Sequence, residues 1–188
     1  MNDYTIRLAY ESELSKIPLI ELAAADRFRE THYAYLAVDT EASVDEAYCH
    51  QQFAQGLLWV AADEMDQPVG FVVAEVLDDA LFIHELDVLP DHGRRGLGRR
   101  LIAAVCERAR TVGYAAVTLS TFADIPWNAP FYIRVGFCEL ADAELTPGLR
   151  AVQQAEAEGL PNTNRVIMRM ELKGIYDRTN IPIPRSNR

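Results

Sequence analysis

Apolar and polar residues alternate over residues 4–9, where Ile6 and Leu8 interleave with Thr5 and Arg7, and this period of two predicts a half-buried first strand. Ser12 then offers a helix cap. Leu14, Ile17, Ile20, Leu22 and Ala24 recur near helical spacing as far as Arg27, with Pro18 in the first turns, where proline is best tolerated. Residues 28–40 mix aromatic and polar side chains without a clean period and read as a loop or broken helix. Ser43 and Glu46 form a capping-box pattern for a second helix that reaches Gln55 and stops at Gly56.

Beyond Gly56 the pattern changes to short β-branched and aromatic runs. Residues 57–62 and 69–77 read as a hairpin around the turn 63–68, and the Asp78-Asp79 turn leads into a strand over 81–89. Short turns imply antiparallel pairing. Leu97, Leu101, Ala104, Val105 and Ala109 then form one face of a helix ending near Gly113, so the strand over 115–121 follows a full crossover and lies parallel to its predecessor. Asn128 is placed to cap a short helix over 129–135, ended by Gly136. Residues 137–140 read as a strand, Thr146-Pro147 opens a helix ending at Gly159, and residues 166–172 alternate as a final strand. The expected architecture is an α/β fold on a mixed sheet, one domain over residues 1–173, followed by a polar, proline-bearing tail over 174–188 that is expected to be mobile or draped on the surface.

Composition narrows the class. The chain has 188 residues, 49% hydrophobic and 24% charged, which suits one domain with a substantial core. Its formal net charge of -10 argues against broad nucleic-acid or anionic-membrane binding. With no long apolar run and no basic-then-apolar start, the expected setting is cytoplasmic. Cys49, Cys106 and Cys138 are odd in number and widely spaced, so buried free thiols are expected rather than a disulfide framework, and no metal site is expected.

Against that acidic background, residues 86–101 (LDVLPDHGRRGLGRRL) run from an apolar strand through a glycine turn into a helix start and carry Arg94, Arg95, Arg99 and Arg100. Glycines let a backbone approach a ligand closely, and the following helix directs unpaired N–H groups and a positive dipole end at it. The natural guest is an anion, and the local charge favours a phosphate-bearing ligand. The order Gly93-x-x-Gly96-x-Gly98 is neither the dinucleotide pattern G-x-G-x-x-G nor a P-loop.

This turn resembles the acetyl-CoA pyrophosphate loop of the GNAT superfamily of N-acetyltransferases, [QR]-x-x-G-x-[GA] after a strand L-x-V-x-P, here Leu86-x-Val88-x-Pro90 and Arg95-Gly96-Leu97-Gly98. Gly93 stands where the family has Gln or Arg, and Arg94 beside it is placed to supply the guanidinium. A second match, Phe131-Tyr132-x-x-x-Gly136-Phe137, resembles the family's L-Y-x-x-x-G-F. The family often places an Asn seven residues before this Tyr; here that position is Ile125, and Asn128 lies four before it. The resemblance implies a mostly antiparallel sheet of about seven strands with a V-shaped splay, flanked by helices. It implies acetyl-CoA as the acyl donor, with pantetheine against Leu86, Asp87 and Val88. The pyrophosphate would lie on Arg94, Arg95, Gly96, Leu97, Gly98 and Arg99, with Asn128 a further candidate contact. Backbone N–H groups on the splayed strand would stabilise the oxyanion of a tetrahedral intermediate.

An acceptor amine with a pKa of about 10.4 must lose a proton before it can attack a thioester. His84 and Glu85 stand just before the Leu86-x-Val88 segment, and both remain candidates for the base. Neighbours on a regular strand point to opposite faces, so only one reaches the reaction unless a bulge intervenes. Tyr132 either protonates or hydrogen-bonds the leaving thiolate, or is a core aromatic. Acceptor choice is expected from residues 28–46 and 142–159, where the acidic side chains of Asp39, Glu41, Asp45, Glu46, Asp142 and Glu144 suit a cationic amine or simply face solvent. The expected activity is direct acetyl transfer to a primary amine of a small molecule or peptide, with a homodimer possible. The alternative is a non-catalytic acyl-CoA-binding regulatory module.

Overall fold

In the computed structural model, which describes residues 4–38, 44–160 and 162–172, the strands are β1 (Thr5–Leu8), β2 (Leu58–Ala62), β3 (Pro68–Leu77), β4 (Ala80–Val88), β5 (Ala116–Phe122), β6 (Cys138–Glu139) and β7 (Arg165–Glu171). They form one sheet in the order β1-β2-β3-β4-β5-β7-β6. Every pairing is antiparallel except β4 with β5, which is parallel as the crossover requires. The helices are α1 (Ile17–Ala25), α2 (Glu46–Ala54), α3 (Leu97–Val112), α4 (Ala129–Val135) and α5 (Pro147–Gly159). This is the mixed sheet expected from the alternation and crossover pattern, and the mostly antiparallel seven-stranded architecture implied by the family resemblance.

Both faces of the sheet are covered, which is why every residue of β2 is buried. On one face Trp59, Val72, Ile83 and Leu119 pack with Leu97, Leu101 and Val105 of α3 and with Phe137 beyond α4. On the other, Leu58, Val60, Phe71 and Val73 meet Leu14, Ile17 and Ile20 before and within α1 and Cys49 of α2. Phe82 and Ile167 pack under α5 through Leu149 on that second face. The faces of β4 can be read from these clusters. Leu81 and Ile83 point to the α3 side and Phe82 to the other, and after residue 83 the parity changes, so that Leu86 and Val88 face α3.

Several local expectations are corrected. Ser12 does not cap the first helix; residues 11–16 form a 3-10 turn that runs into α1. Glu13 draws the chain there, its carboxylate accepting the Tyr10 N–H at 2.8 Å while pairing with Arg7. For α2 the cap is Asp45, whose Oδ1 accepts the Tyr48 N–H at 2.7 Å, and Ser43 lies outside the described residues. The break expected over 28–40 takes the form of two 3-10 turns, Asp26–Glu30 and Ala34–Val38. Thr146 caps α5 as its position suggests. Cys49 and Cys106 are buried, but Cys138 is exposed because it sits on the two-residue strand β6. The tail over 174–188 is outside the described residues. Among those described, no helix is long and apolar enough to cross a membrane.

Arg7 anchors the sheet edge to the segment before α1. Its Nη1 and Nη2 donate to the two Glu13 oxygens at 2.9 and 2.8 Å, and Nε donates to Asp66 Oδ1 at 2.9 Å. Glu13 is only 5% exposed. Burial alone would raise its pKa, but the Arg7 pairing and the Tyr10 N–H outweigh that and leave it below the ordinary carboxylate value. The stability this pair contributes is therefore present above the unfolded-state pKa and is lost as pH falls through the folded one. Arg7→Met strands a buried carboxylate and is expected to cost about 3 kcal/mol at neutral pH. In denaturant titrations the gap from wild type should narrow as the pH is lowered toward the carboxylate range.

Candidate functional site

The glycine turn builds an anion cradle at the start of α3. Gly96 is the residue before the helix and adopts φ +77°, a left-handed conformation that a side chain disfavours. Arg94, two residues earlier, also has positive φ, at 59°. The first N–H groups of α3 have no intrahelical partner, and they lie at the positive end of a 16-residue helix. Arg100 donates to the Tyr4 carbonyl at 2.7 Å and Arg95 to the Asp91 carbonyl at 3.3 Å. Arg94 and Arg99, both exposed, have no such tether among the described residues. A Cβ on Gly98 would stand 3.4 Å from Phe131 and 3.6 Å from Leu86, so the helix start, α4 and β4 converge at that glycine.

Beside the cradle the sheet opens. β4 and β5 pair only from Ala80–Ala116 to Ile83–Leu119, although β4 continues to Val88 and β5 to Phe122. On its other side β4 stays paired with β3 as far as Val88. A Cβ on Gly70 would lie 2.8 Å from the Asp87 carbonyl, so this glycine lets β3 hold β4 closely at the opening. Leu86 N–H donates to Glu85 Oε1 at 3.1 Å, and Arg27 Nη2 donates to the Val88 carbonyl at 3.0 Å. Side chains thus occupy polar groups that an unbroken ladder would have taken.

A β-bulge lies at the same level. Val73 is opposite Glu85 and Ala74 opposite Ile83, leaving His84 as the extra residue. The bulge produces the change of parity along β4, and it turns His84, Glu85 and Asp87 to the α1–α2 side together. The choice between His84 and Glu85 posed by a regular strand therefore does not arise. The His84 ring lies 4.7 Å from the Tyr48 ring of α2, and its Nδ1 is 3.6 Å from Glu75 Oε1.

Electrostatics at the opening are dominated by carboxylates. Burial, then the charge of Glu21 from α1, raises the Glu85 pKa; the Leu86 N–H, His84 and Arg165 oppose the shift without cancelling it. Asp87 is raised further, by burial, by Glu85 and by Glu21, against a lowering by Arg27. Burial would lower His84, but Glu75, Glu85 and Glu21 together leave it raised. Tyr132, on α4, packs against Phe131 and Phe137 at 5.2 and 5.6 Å between ring centroids. Its pKa is raised by burial and by the charges of Glu85 and Asp87.

Asn128 precedes α4, but its side chain makes no capping bond; its carbonyl accepts the Phe131 and Tyr132 N–H groups instead. On the far side of the opening, Phe28, Tyr33, Phe122, Ile125 and Trp127 form an aromatic cluster. The Tyr33 hydroxyl donates to Asp124 at 3.2 Å and accepts the Asn164 N–H at 2.9 Å. Arg165 bridges Glu156 of α5 at 2.9 Å and Ser120 at 3.3 Å, beside a cavity of about 90 Å³. Asp142 and Glu144 are exposed, while Asp39 and Glu41 lie outside the described residues. Sequence reasoning missed Glu21, Arg27, Glu75, Tyr48 and Arg165. Each sits in an ordinary helical or strand pattern, and only the tertiary pairing brings it to β4.

The description "Acetyltransferase (GNAT) family" belongs to the sequence model that matches residues 21–137, more than half of the chain. The chain belongs to this family. Its fold is shared with solved GNAT structures at low identity. A GNAT acetyltransferase from Staphylococcus aureus Mu50 superposes with TM-score 0.70 at 15% identity, covering 91% of this chain and 100% of that one. The PaiA N-acetyltransferase of Thermoplasma acidophilum, solved with coenzyme A, gives 0.67 at 12%, covering 90% and 99%. The ribosomal-protein-S18-alanine N-acetyltransferase of Escherichia coli gives 0.62 at 19%, covering 95% and 100%.

As a GNAT protein the chain is an acetyl-CoA-dependent acyltransferase, and its geometry fits that donor. A helix N-terminus with a left-handed glycine before it suits a pyrophosphate, and the opened β4 edge provides an extended track for a thioester arm. Gly96→Ala places a Cβ at positive φ, which costs about 1–2 kcal/mol. Acetyl-CoA affinity measured by calorimetry should fall by about tenfold if that strain is relieved by moving the loop. The helical circular dichroism signal should be unchanged.

Proposed function

We propose that the protein is an N-acetyltransferase that moves an acetyl group from acetyl-CoA directly to a primary amine of a small molecule or peptide, with Glu85 as the base. The observation that carries this reading is the bulge at His84, which puts the Glu85 carboxylate on the side of the sheet away from α3, beside the gap and within electrostatic reach of Tyr132. A carboxylate with a raised pKa is a better base for an ammonium ion than an ordinary one. Glu21, Glu85 and Asp87 together favour a cationic acceptor, while Arg27 and Arg165 limit their mutual repulsion.

When bound, acetyl-CoA supplies an activated acyl carbonyl. Arg94, Arg99 and the first N–H groups of α3 hold its pyrophosphate, and β4 backbone groups near Leu86 and Val88 orient its arm. Glu85 takes a proton from the ammonium, so that nitrogen gains a lone pair as it meets the carbonyl. Tyr132 donates a hydrogen bond to the departing sulfur. Its raised pKa, set against about 8.5 for a thiol, makes net proton loss from the phenol uphill, so the proton that ends on sulfur is the second one released by the acceptor nitrogen. Protonation of Glu85 removes one of the charges that raise Tyr132, so the phenol becomes a stronger donor as the sulfur leaves.

Thiol release over polyamines, aminoglycosides, amino acids and peptide N-termini tests the reaction. Binding of acetyl-CoA without thiol release to any of these amines would leave the acyl-CoA-binding module as the better reading. Because Glu85 works deprotonated and its pKa is raised, kcat should climb as pH rises through that raised value. Glu85→Gln should lower kcat by about 100-fold and flatten this limb. Tyr132→Phe should lower kcat by about tenfold with the KM for acetyl-CoA little changed; full turnover in that variant would remove Tyr132 from the reaction.

A further inference from the structure

We propose that His84, held between Glu75 and Tyr48, carries the acceptor's proton from Glu85 out to solvent. The inference rests on the acetyl-transfer reading and concerns a step that reading leaves open. Starting from an ammonium ion, one hydrogen stays on the amide nitrogen, one ends on the thiol, and one proton is left over. It must leave the site before Glu85 can act again. Glu85 is half-buried beside the charges of Glu21 and Asp87, whereas His84 is exposed, its side chain 33% and that of Glu75 32%. The neighbouring residue is the more open of the two and offers the base a path to water.

The bulge makes the path possible. On a regular strand His84 and Glu85 would face opposite sides of the sheet, and the extra residue brings both to one side. Two groups from other elements then fix the imidazole. Tyr48 of α2 lies against the ring at 4.7 Å, and Glu75 of β3 faces Nδ1 at 3.6 Å, an ion-pair separation slightly beyond a hydrogen bond. The Tyr48 hydroxyl is buried beside Glu75, and burial, then the charge of Glu75 and hydrogen bonding to it, raise its pKa, so Tyr48 and His84 meet at the same carboxylate.

The charged groups facing His84 are Glu21 from α1, Glu75 from β3 and Glu85 on its own strand, with Tyr48 from α2. Glu75 itself is lowered, first by its pairing with His84, so it stays ionised and stabilises the imidazolium. In the relay Glu85 passes its proton to the neutral imidazole, becoming a carboxylate again, and His84⁺ gives that proton to water or buffer. Glu75 keeps its charge throughout and acts as a positioning residue.

The test uses the full chain, acetyl-CoA and whichever amine of the panel the wild-type protein acetylates. His84→Ala should lower kcat by about tenfold, with the KM for acetyl-CoA little changed, and added imidazole should restore most of the loss. Glu75→Gln keeps the histidine. It should lower the His84 pKa seen in an NMR titration of the ring and move the His84 step of the acidic limb of kcat, which follows that of Glu85, toward lower pH by the same amount. Unchanged kcat in His84→Ala overturns the proposal, as does a loss that neither imidazole nor another small base relieves. A shifted His84 titration in Glu75→Gln with no step of the limb moving also overturns it. Failure of the underlying reading looks different: wild-type protein that binds acetyl-CoA and acetylates no amine, or Glu85→Gln with wild-type kcat. Either result removes the relay with it.

Discussion

The site depends on one constraint: β4 must keep its ladder with β3 along its whole length while giving up its ladder with β5 after Ile83. A strand released on both sides would be a loop, without the regular backbone needed to hold an extended ligand. A strand paired on both sides would leave no gap. Gly70 helps to meet the first requirement by admitting the Asp87 carbonyl close to β3. Leu119 and Ile83, the last pair of the β4–β5 ladder, mark where the second begins. The bulge lies at this transition, and the turn of side chains it produces follows from the extra residue rather than from any preference of histidine or glutamate for one face.

Charge is organised around the same opening in two zones. The cradle at the start of α3 gathers arginines against a chain of net charge -10, while the opposite side of β4 gathers Glu21, Glu85 and Asp87. A donor with an anionic end and an acceptor with a cationic one would approach these zones from different sides of the sheet and meet at the gap. Arg27 belongs to both arrangements. Its guanidinium occupies the Val88 carbonyl at the mouth of the gap and moderates the carboxylate at Asp87.

Much of this was legible in the sequence. The alternation of β1 to β3, the single face of α3 and the crossover into β5 follow from periodicities of two and 3.6, which depend on local geometry. Gly96 announces the cradle because the left-handed backbone it adopts is one that few other residues accept, and Gly98 because a Cβ there would come against Phe131 and Leu86. The position of Glu85 relative to His84 was not legible. It depends on which residues of β3 stand opposite β4, and a one-residue offset reverses every side chain beyond it. Capping was only partly legible: Asp45 and Ser43 are equally suitable residue types, and the chain geometry decides between them. Glu75 and Tyr48 carry no local signal, since one lies in an ordinary strand and the other in an ordinary helix.

The outer boundaries of the sheet are short, four residues in β1 and two in β6. The longest stretch of strand open on one side therefore lies within the molecule, along β4 from His84 to Val88. Unpaired strand edges invite pairing with other chains, and charged side chains are a common means of discouraging it. Glu85, Asp87 and Arg27 are placed on that edge, where their charges discourage pairing with a foreign strand. Donor binding would cover the same edge, joining occupancy of the site to the colloidal behaviour of the protein.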